Sequence, residues 1–125
     1  LQEAIDRAAA YGEAGADVLF VEAPESVEEM KTVCESLGKP LLANMVTGGK
    51  TPVLPGKELK ALGYTIAIHP AAGFLSCAAG LDKAFQDLKE HGTVTEATPM
   101  YEFSEFTRMI GFPDVWAFEK RYAQD

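Results

Sequence analysis

The chain has 125 residues, of which 47% are hydrophobic and 10% aromatic, so a disordered polypeptide is excluded and one folded domain is expected. Its 11 lysines and arginines against 19 aspartates and glutamates leave a formal net charge of -8, which disfavours a nucleic-acid partner. No apolar run approaches the roughly 20 residues that span a bilayer, so we expect no membrane segment and a cytoplasmic protein. Residues 1–11 already follow a helical period without a capping residue before them, and we therefore expect the chain to be part of a longer protein.

The helical and strand patterns alternate along the chain. Helical periodicity comes first, recurs between the strands and continues after the last of them. Ser26 and Glu29 have the spacing of a capping box, which predicts the start of the helix after the first strand. Apolar, β-branched runs predict buried parallel strands near residues 17–22, 40–44 and 64–69. This order is typical of an α/β fold with a parallel sheet.

Each predicted strand ends on a polar side chain, namely Glu22, Asn44 or His69. Ligands of parallel α/β sheets bind beyond the carboxyl ends of the strands, where the loops converge. These residues are therefore the first candidates for a shared site. The loop after the second strand carries Thr47 and Gly48, and small, flexible residues of this kind can close over a ligand.

The end of the chain differs in character from the rest. Two helical stretches beyond Thr98 are rich in aromatic residues, among them Phe103, Phe106, Phe112, Trp116, Phe118 and Tyr122. So many aromatic side chains on short helices need a large apolar surface to bury against. This extension, residues 99–125, either covers the rest of the chain or docks on a partner subunit.

Six stretches resemble, in the same order, the isocitrate lyase/phosphoenolpyruvate mutase superfamily: AGADVLFVEAP at 14–24, LANM at 42–45, GGKTP at 48–52, LKALGY at 59–64, IHP at 68–70 and LKEHGT at 88–93. Within it, the chain is most similar to the 2-methylisocitrate lyase-like and carboxyvinyl-carboxyphosphonate phosphorylmutase-like proteins. The resemblance implies a (β/α)8 TIM barrel, with residues 1–98 as its C-terminal half. It also implies that the helical extension is exchanged between subunits of a homo-oligomer, a dimer of dimers.

The resemblance further implies a lyase that depends on Mg²⁺, with Mn²⁺ as an alternative. Such an enzyme cleaves a carbon–carbon bond of a small 2-oxy or 2-oxo dicarboxylate through a metal-stabilised enolate. The aspartate ligands of the metal and the gating loop would lie outside this chain. Two alternatives stay open: a phosphorylmutase that acts on a carbon–phosphorus bond, and a half-barrel without catalytic activity.

The resemblance gives each candidate residue an expected role. Glu22 corresponds to a catalytic glutamate that contacts the metal through water, and His69 to a catalytic acid or hydrogen-bond donor. Asn44 corresponds to the asparagine that binds a substrate carboxylate, with Thr47 and Gly48 as further substrate-binding residues. Each also has a structural alternative, since Glu22 can cap a helix, Asn44 and Gly48 can form turns, and His69 can make a structural hydrogen bond.

Two departures from the superfamily pattern narrow the expected substrate. Leu75 stands where methylisocitrate lyases carry an arginine for an additional carboxylate, and leucine cannot pair with that group. Gly48 stands where some members have glutamate or phenylalanine. We therefore expect a dicarboxylate or a phosphonate-bearing enolpyruvate, bound in a pocket with a small, uncharged rim. Nucleotide binding is excluded because the Gly-Gly-Lys-Thr run lacks the upstream glycine of a P-loop.

Overall fold

A computed structural model describes residues 1–123 of the chain. The elements are α1 (Gln2–Glu13), β1 (Leu19–Phe20), α2 (Val27–Ser36), β2 (Leu41–Asn44), α3 (Gly56–Leu62), β3 (Ile66–Ile68), α4 (Ala72–His91), α5 (Phe103–Met109) and α6 (Phe112–Tyr122). Every predicted strand and helix is present, and the strands are shorter than the apolar runs that predicted them. Within the described residues, no helix combines the length and the apolar character needed to cross a membrane.

The strands form one parallel sheet in the order β1, β2, β3. Leu19 lies opposite Leu41, and Asn44 lies opposite Ile68. Parallel neighbours cannot be joined by a hairpin, so α2 and α3 serve as the crossovers that return the chain to the start of the next strand. The predicted α/β class with parallel strands is confirmed.

Helices α1, α2 and α3 supply the residues that bury one face of the sheet. Leu19 and Leu41 are buried on that face, whereas Phe20 and Ile66 on the opposite face are 46% and 39% exposed. Parallel strands present alternate side chains to opposite faces, which explains this division. The other members of the core are Ile5, Ala8, Val21, Met30, Val33, Leu37, Ala43, Met45, Leu59 and Tyr64.

The chain divides into two compact units inside α4, after Cys77. In the second unit, the carboxylate of Asp87 accepts hydrogen bonds from Lys83, Thr95 and Thr98. These bonds join the second half of α4 to the segment that follows it. The second compact unit therefore begins within α4. The boundary predicted from the sequence lies later, after residue 98.

The aromatic side chains of α5 and α6 stay near the surface of the second unit. The rings of Phe112 and Trp116 lie 5.9 Å apart, and those of Phe118 and Tyr122 lie 4.7 Å apart. Even so, 52% of Trp116 and 63% of Phe118 are exposed. These side chains therefore leave much of their apolar surface uncovered within the described part of the chain.

Candidate functional site

A cleft of about 290 Å³ lies beyond the carboxyl ends of β1 and β2. Its lining residues are Glu22, Ala23, Asn44, Val46, Gly49, Lys50 and Thr51. Glu22 comes just after β1, and Asn44 is the last residue of β2. Two of the three side chains that strand-end reasoning selected, Glu22 and Asn44, therefore lie at one cleft, on adjacent parallel strands.

The carboxamide of Asn44 has an unmet hydrogen-bonding need. Its Oδ1 is buried and has no hydrogen-bond partner among the described residues. A buried polar atom left unpaired costs about 1–3 kcal/mol, and folded proteins rarely leave one. A half-turn of the carboxamide exchanges its oxygen with Nδ2, so the group can either accept a hydrogen bond or donate one to a bound molecule. This is the property that a substrate-binding asparagine requires.

Backbone strain occurs in the wall of the cleft, at Ala23. Its φ is 54°, and no other non-glycine residue in the described part of the chain has a positive φ. A left-handed conformation costs an L-residue about 1–2 kcal/mol. Ala23 connects Glu22 to the buried Pro24, so this strained link sets the direction in which the chain leaves the site. No sequence signal points to it, because alanine before proline predicts extended backbone.

Lys50 brings a positive charge to the cleft. Its Nζ lies 3.3 Å from Oε1 of Glu25, and this ion pair joins the loop after β2 to the loop after β1. The prediction of a small, uncharged rim is therefore wrong. Sequence reasoning does not select Lys50 as a site residue, because the direction of a side chain on a glycine-rich loop depends on a backbone path that the sequence does not specify.

Three other predicted site residues lie outside the set that lines this cleft. His69 follows β3 and is exposed, and its backbone carbonyl accepts a hydrogen bond from the amide of Ala72 at 3.3 Å. Thr47 and Gly48 are exposed in the loop after β2, where Gly48 has a φ of 78°. The roles expected for these three residues stay predictions.

The donor set does not fit a directly bound metal ion. Within residues 1–123, no cluster of three or more histidine, cysteine, aspartate or glutamate side chains could hold one. Glu22 contributes a single, exposed carboxylate to the cleft. Magnesium is usually bound by one or two carboxylates together with waters and substrate oxygens, so Glu22 alone supplies at most part of such a site.

Tyr64 and Cys34 form a polar pair next to the core. Burial and, after it, the neighbouring Cys34 thiol raise the pKa of Tyr64 to about 12. Burial also raises the pKa of the Cys34 thiol, against the lowering effect of the nearby Tyr64 hydroxyl. Both groups therefore stay protonated at neutral pH, and neither suits a role as a nucleophile or a general base.

Residues 1–89 match the family described as phosphoenolpyruvate phosphomutase. The chain belongs to this family. It is a member of the isocitrate lyase/phosphoenolpyruvate mutase superfamily, and the recognition made from the sequence motifs is confirmed.

Known members of the superfamily resemble this chain along its whole length. It is 41% identical over 124 residues to a 2,3-dimethylmalate lyase of Eubacterium barkeri, which covers 98% of this chain and 43% of the relative. It is 37% identical over 125 residues to a 2-methylisocitrate lyase of Halalkalibacterium halodurans, covering 99% of this chain and 42% of the relative. A structure of oxaloacetate acetylhydrolase with the inhibitor 3,3-difluorooxalacetate superposes with a TM-score of 0.87 at 28% identity, covering 100% of this chain and 42% of that one.

This phosphoenolpyruvate phosphomutase family member thus spans about two fifths of the length of the relatives that it matches. The structural neighbours are TIM barrels, and the predicted class, part of a (β/α)8 barrel, is confirmed. The relatives are lyases and mutases, which supports the enzyme class at that level.

Proposed function

We propose that the protein containing this chain is a carbon–carbon lyase that acts on a small 2-oxy or 2-oxo dicarboxylate. The observation that carries the proposal is the cleft shared by Glu22 and Asn44, where the Asn44 carboxamide has a buried, unpaired Oδ1 and can turn so that Nδ2 donates to a carboxylate. A polar group prepared in this way at the carboxyl edge of a parallel sheet suits the binding of a small acid. The relatives that include a 2,3-dimethylmalate lyase and a 2-methylisocitrate lyase support this substrate class.

Each residue has a chemical role in this proposal. Asn44 orients a substrate carboxylate from a rigid strand end without adding charge, so the bond that breaks is held in one geometry. Glu22 orients a bound water or accepts a proton from it. His69 serves as an acid or hydrogen-bond donor to the oxygen that gains charge, and Thr47 and Gly48 contact the substrate from the loop.

Mg²⁺, with Mn²⁺ as the alternative, belongs to the proposal as the cofactor. When bound, a divalent cation would stabilise the negative charge of the enolate that bond cleavage produces. Because the described residues lack a set of direct donors, its ligands would come from parts of the protein outside this chain. We assign to Glu22 only a contact through water.

A phosphorylmutase is the second candidate. It is favoured by the match of residues 1–89 to the family described as phosphoenolpyruvate phosphomutase. Both reactions need a small dianionic acid held at the same strand ends. The two functions therefore differ in substrate and in residues that lie elsewhere in the protein.

The test is a substrate panel on the purified full-length protein that contains this chain. The panel holds 2,3-dimethylmalate, oxaloacetate, 2-methylisocitrate and phosphonopyruvate, each with Mg²⁺ and with a chelator, and NMR identifies the products. If a dicarboxylate is cleaved with Mg²⁺ and the chelator abolishes the cleavage, the lyase is supported. Turnover of phosphonopyruvate alone supports the mutase, and no turnover of any acid contradicts both proposed functions.

We also infer that α5 and α6 dock on a second copy of the protein. This exchange of helices would give a dimer of dimers. We propose a cytoplasmic location for the enzyme. Support comes from the aromatic surface, in which Phe103 is 79% exposed and Trp116 is 52% exposed in the isolated chain. Light scattering on the full-length protein should give the mass of four subunits, and the mass of one subunit would contradict the inference.

A further inference from the structure

The cleft needs a positive group if it binds a dianion. Glu22 carries a negative charge of its own, and Asn44 is neutral. A dicarboxylate brought beside Glu22 therefore meets a repulsion that a charge-assisted hydrogen bond must offset.

Lys50 is the cationic residue among those that line the cleft. Its ammonium lies 3.3 Å from Oε1 of Glu25, and the lysine and glutamate side chains are 75% and 65% exposed. An ion pair as exposed as this is weak, because water screens it and both side chains lose freedom in it. A substrate carboxylate can therefore take the ammonium from Glu25.

A tight turn fixes the backbone that leads to Lys50. The amide of Gly49 donates to the carbonyl of Val46 at 3.0 Å and closes a turn directly after β2. A Cβ at position 49 would lie 3.1 Å from that carbonyl oxygen, so the turn is tight. Thr51, which follows Lys50, is half-buried and lines the same cleft. The lysine side chain thus extends from a fixed origin at the cleft.

We propose that Lys50 binds a carboxylate of the substrate, and that it exchanges its ion pair with Glu25 for an ion pair with the ligand. Glu25 then pairs with the ammonium while no ligand is bound and competes with the ligand for it. The arrangement favours dianions over monoanions, because Asn44 can bind one acidic group while Lys50 binds the other. This proposal rests on the proposed function, whose substrate class it specifies.

Isothermal titration of the full-length protein with malonate tests the assignment. Malonate is a dianion that the proposed reaction cannot consume, so the measurement does not depend on turnover. Lys50→Ala should weaken malonate binding by about tenfold, and Lys50→Arg should stay within about threefold of the wild type. Glu25→Gln should tighten binding by about twofold, because it removes the carboxylate that competes for the ammonium. Lys57→Ala, at an exposed lysine on α3 outside the cleft lining, is the matched control and should change nothing.

The possible results separate the two claims. Malonate binding within twofold of the wild type in Lys50→Ala, or no malonate binding by the wild type, overturns the role of Lys50. Weaker binding in Glu25→Gln also overturns it, because Glu25 would then contribute to the site and not compete with it. Binding that depends on Lys50 without turnover of any acid in the panel contradicts only the lyase proposal.

Discussion

Glu22 and Asn44 line one cleft from the ends of two neighbouring parallel strands. Leu19 of β1 lies opposite Leu41 of β2, so the two strands run in the same direction at the same level and their carboxyl ends meet at one edge. A carboxylate and a carboxamide are thereby held side by side by rigid backbone.

Replacing Ala23 by glycine should stabilise the protein. Glycine adopts a φ of 54° without the steric cost that an alanine bears there, so the free energy of unfolding should rise by about 1 kcal/mol. Ala23→Val should lower it by a similar amount, because a β-branched side chain fits this conformation worse. Urea denaturation of the three proteins measures both changes.

Ala10→Gly is the matched control, since Ala10 is exposed in the regular helix α1. There the same substitution should destabilise by about 1 kcal/mol, because glycine is the weaker helix former. A loss of stability at both positions would show that Ala23 is not strained.

The Asp87 cluster should stabilise the second unit. Hydrogen bonds hold the pKa of the Asp87 carboxyl well below its usual range. The largest effect comes from Lys83, followed by Thr98 and then Thr95. Asp87→Asn removes the charge that these donors bind, so the Tm should fall by about 5 °C at pH 7. Asp82→Asn, at an exposed residue of the same helix, should leave the Tm within about 1 °C.

The difference in Tm between the wild type and Asp87→Asn should depend on pH in one direction. The folded state holds the pKa of Asp87 below its unfolded value of about 3.9, so the stabilisation is fully present above that pH. It is lost as the pH falls below about 4 toward the folded pKa. Scanning calorimetry from pH 7 to pH 3 should therefore show a constant difference that shrinks only at the acidic end. A difference that grows on acidification would contradict the cluster.

The two free cysteines should differ in reactivity. Cys77 is exposed, whereas Cys34 is half-buried and burial raises the pKa of its thiol. Because the thiolate is the reactive form, Cys34 should react with Ellman's reagent at least about tenfold more slowly than Cys77 at pH 8. Cys77→Ser should leave only the slow phase and Cys34→Ser only the fast one; equal rates in the two variants would argue against the Tyr64 pair.

Sequence reasoning predicts features that depend on local spacing. The Ser26 hydroxyl accepts a hydrogen bond from the amide of Glu29 at 3.1 Å, as the predicted capping box requires. The proximity of Glu22 and Asn44 can also be predicted from the sequence, because parallel strands bring their carboxyl ends together independently of the loop conformations.

Features that depend on long-range packing cannot be predicted from local spacing. The Lys50–Glu25 pair forms only because two loops fold over the same cleft. Asp87 lies on an amphipathic helix, where an acidic residue normally faces water, yet it is 3% exposed because Thr95 and Thr98 fold back on it. In both cases the partner follows a loop whose path no periodicity encodes.

The most direct test of the account is the kcat/KM of Asn44→Ala in the full-length protein, measured on whichever acid of the panel it converts. The loss of an orienting contact should lower kcat/KM by about 100-fold. The Tm should not fall, because the variant removes a buried oxygen that has no partner. Ser36→Ala, at the exposed end of α2, is the control and should keep the wild-type rate. A rate within twofold of the wild type in Asn44→Ala would contradict the claim that these strand ends form the substrate site.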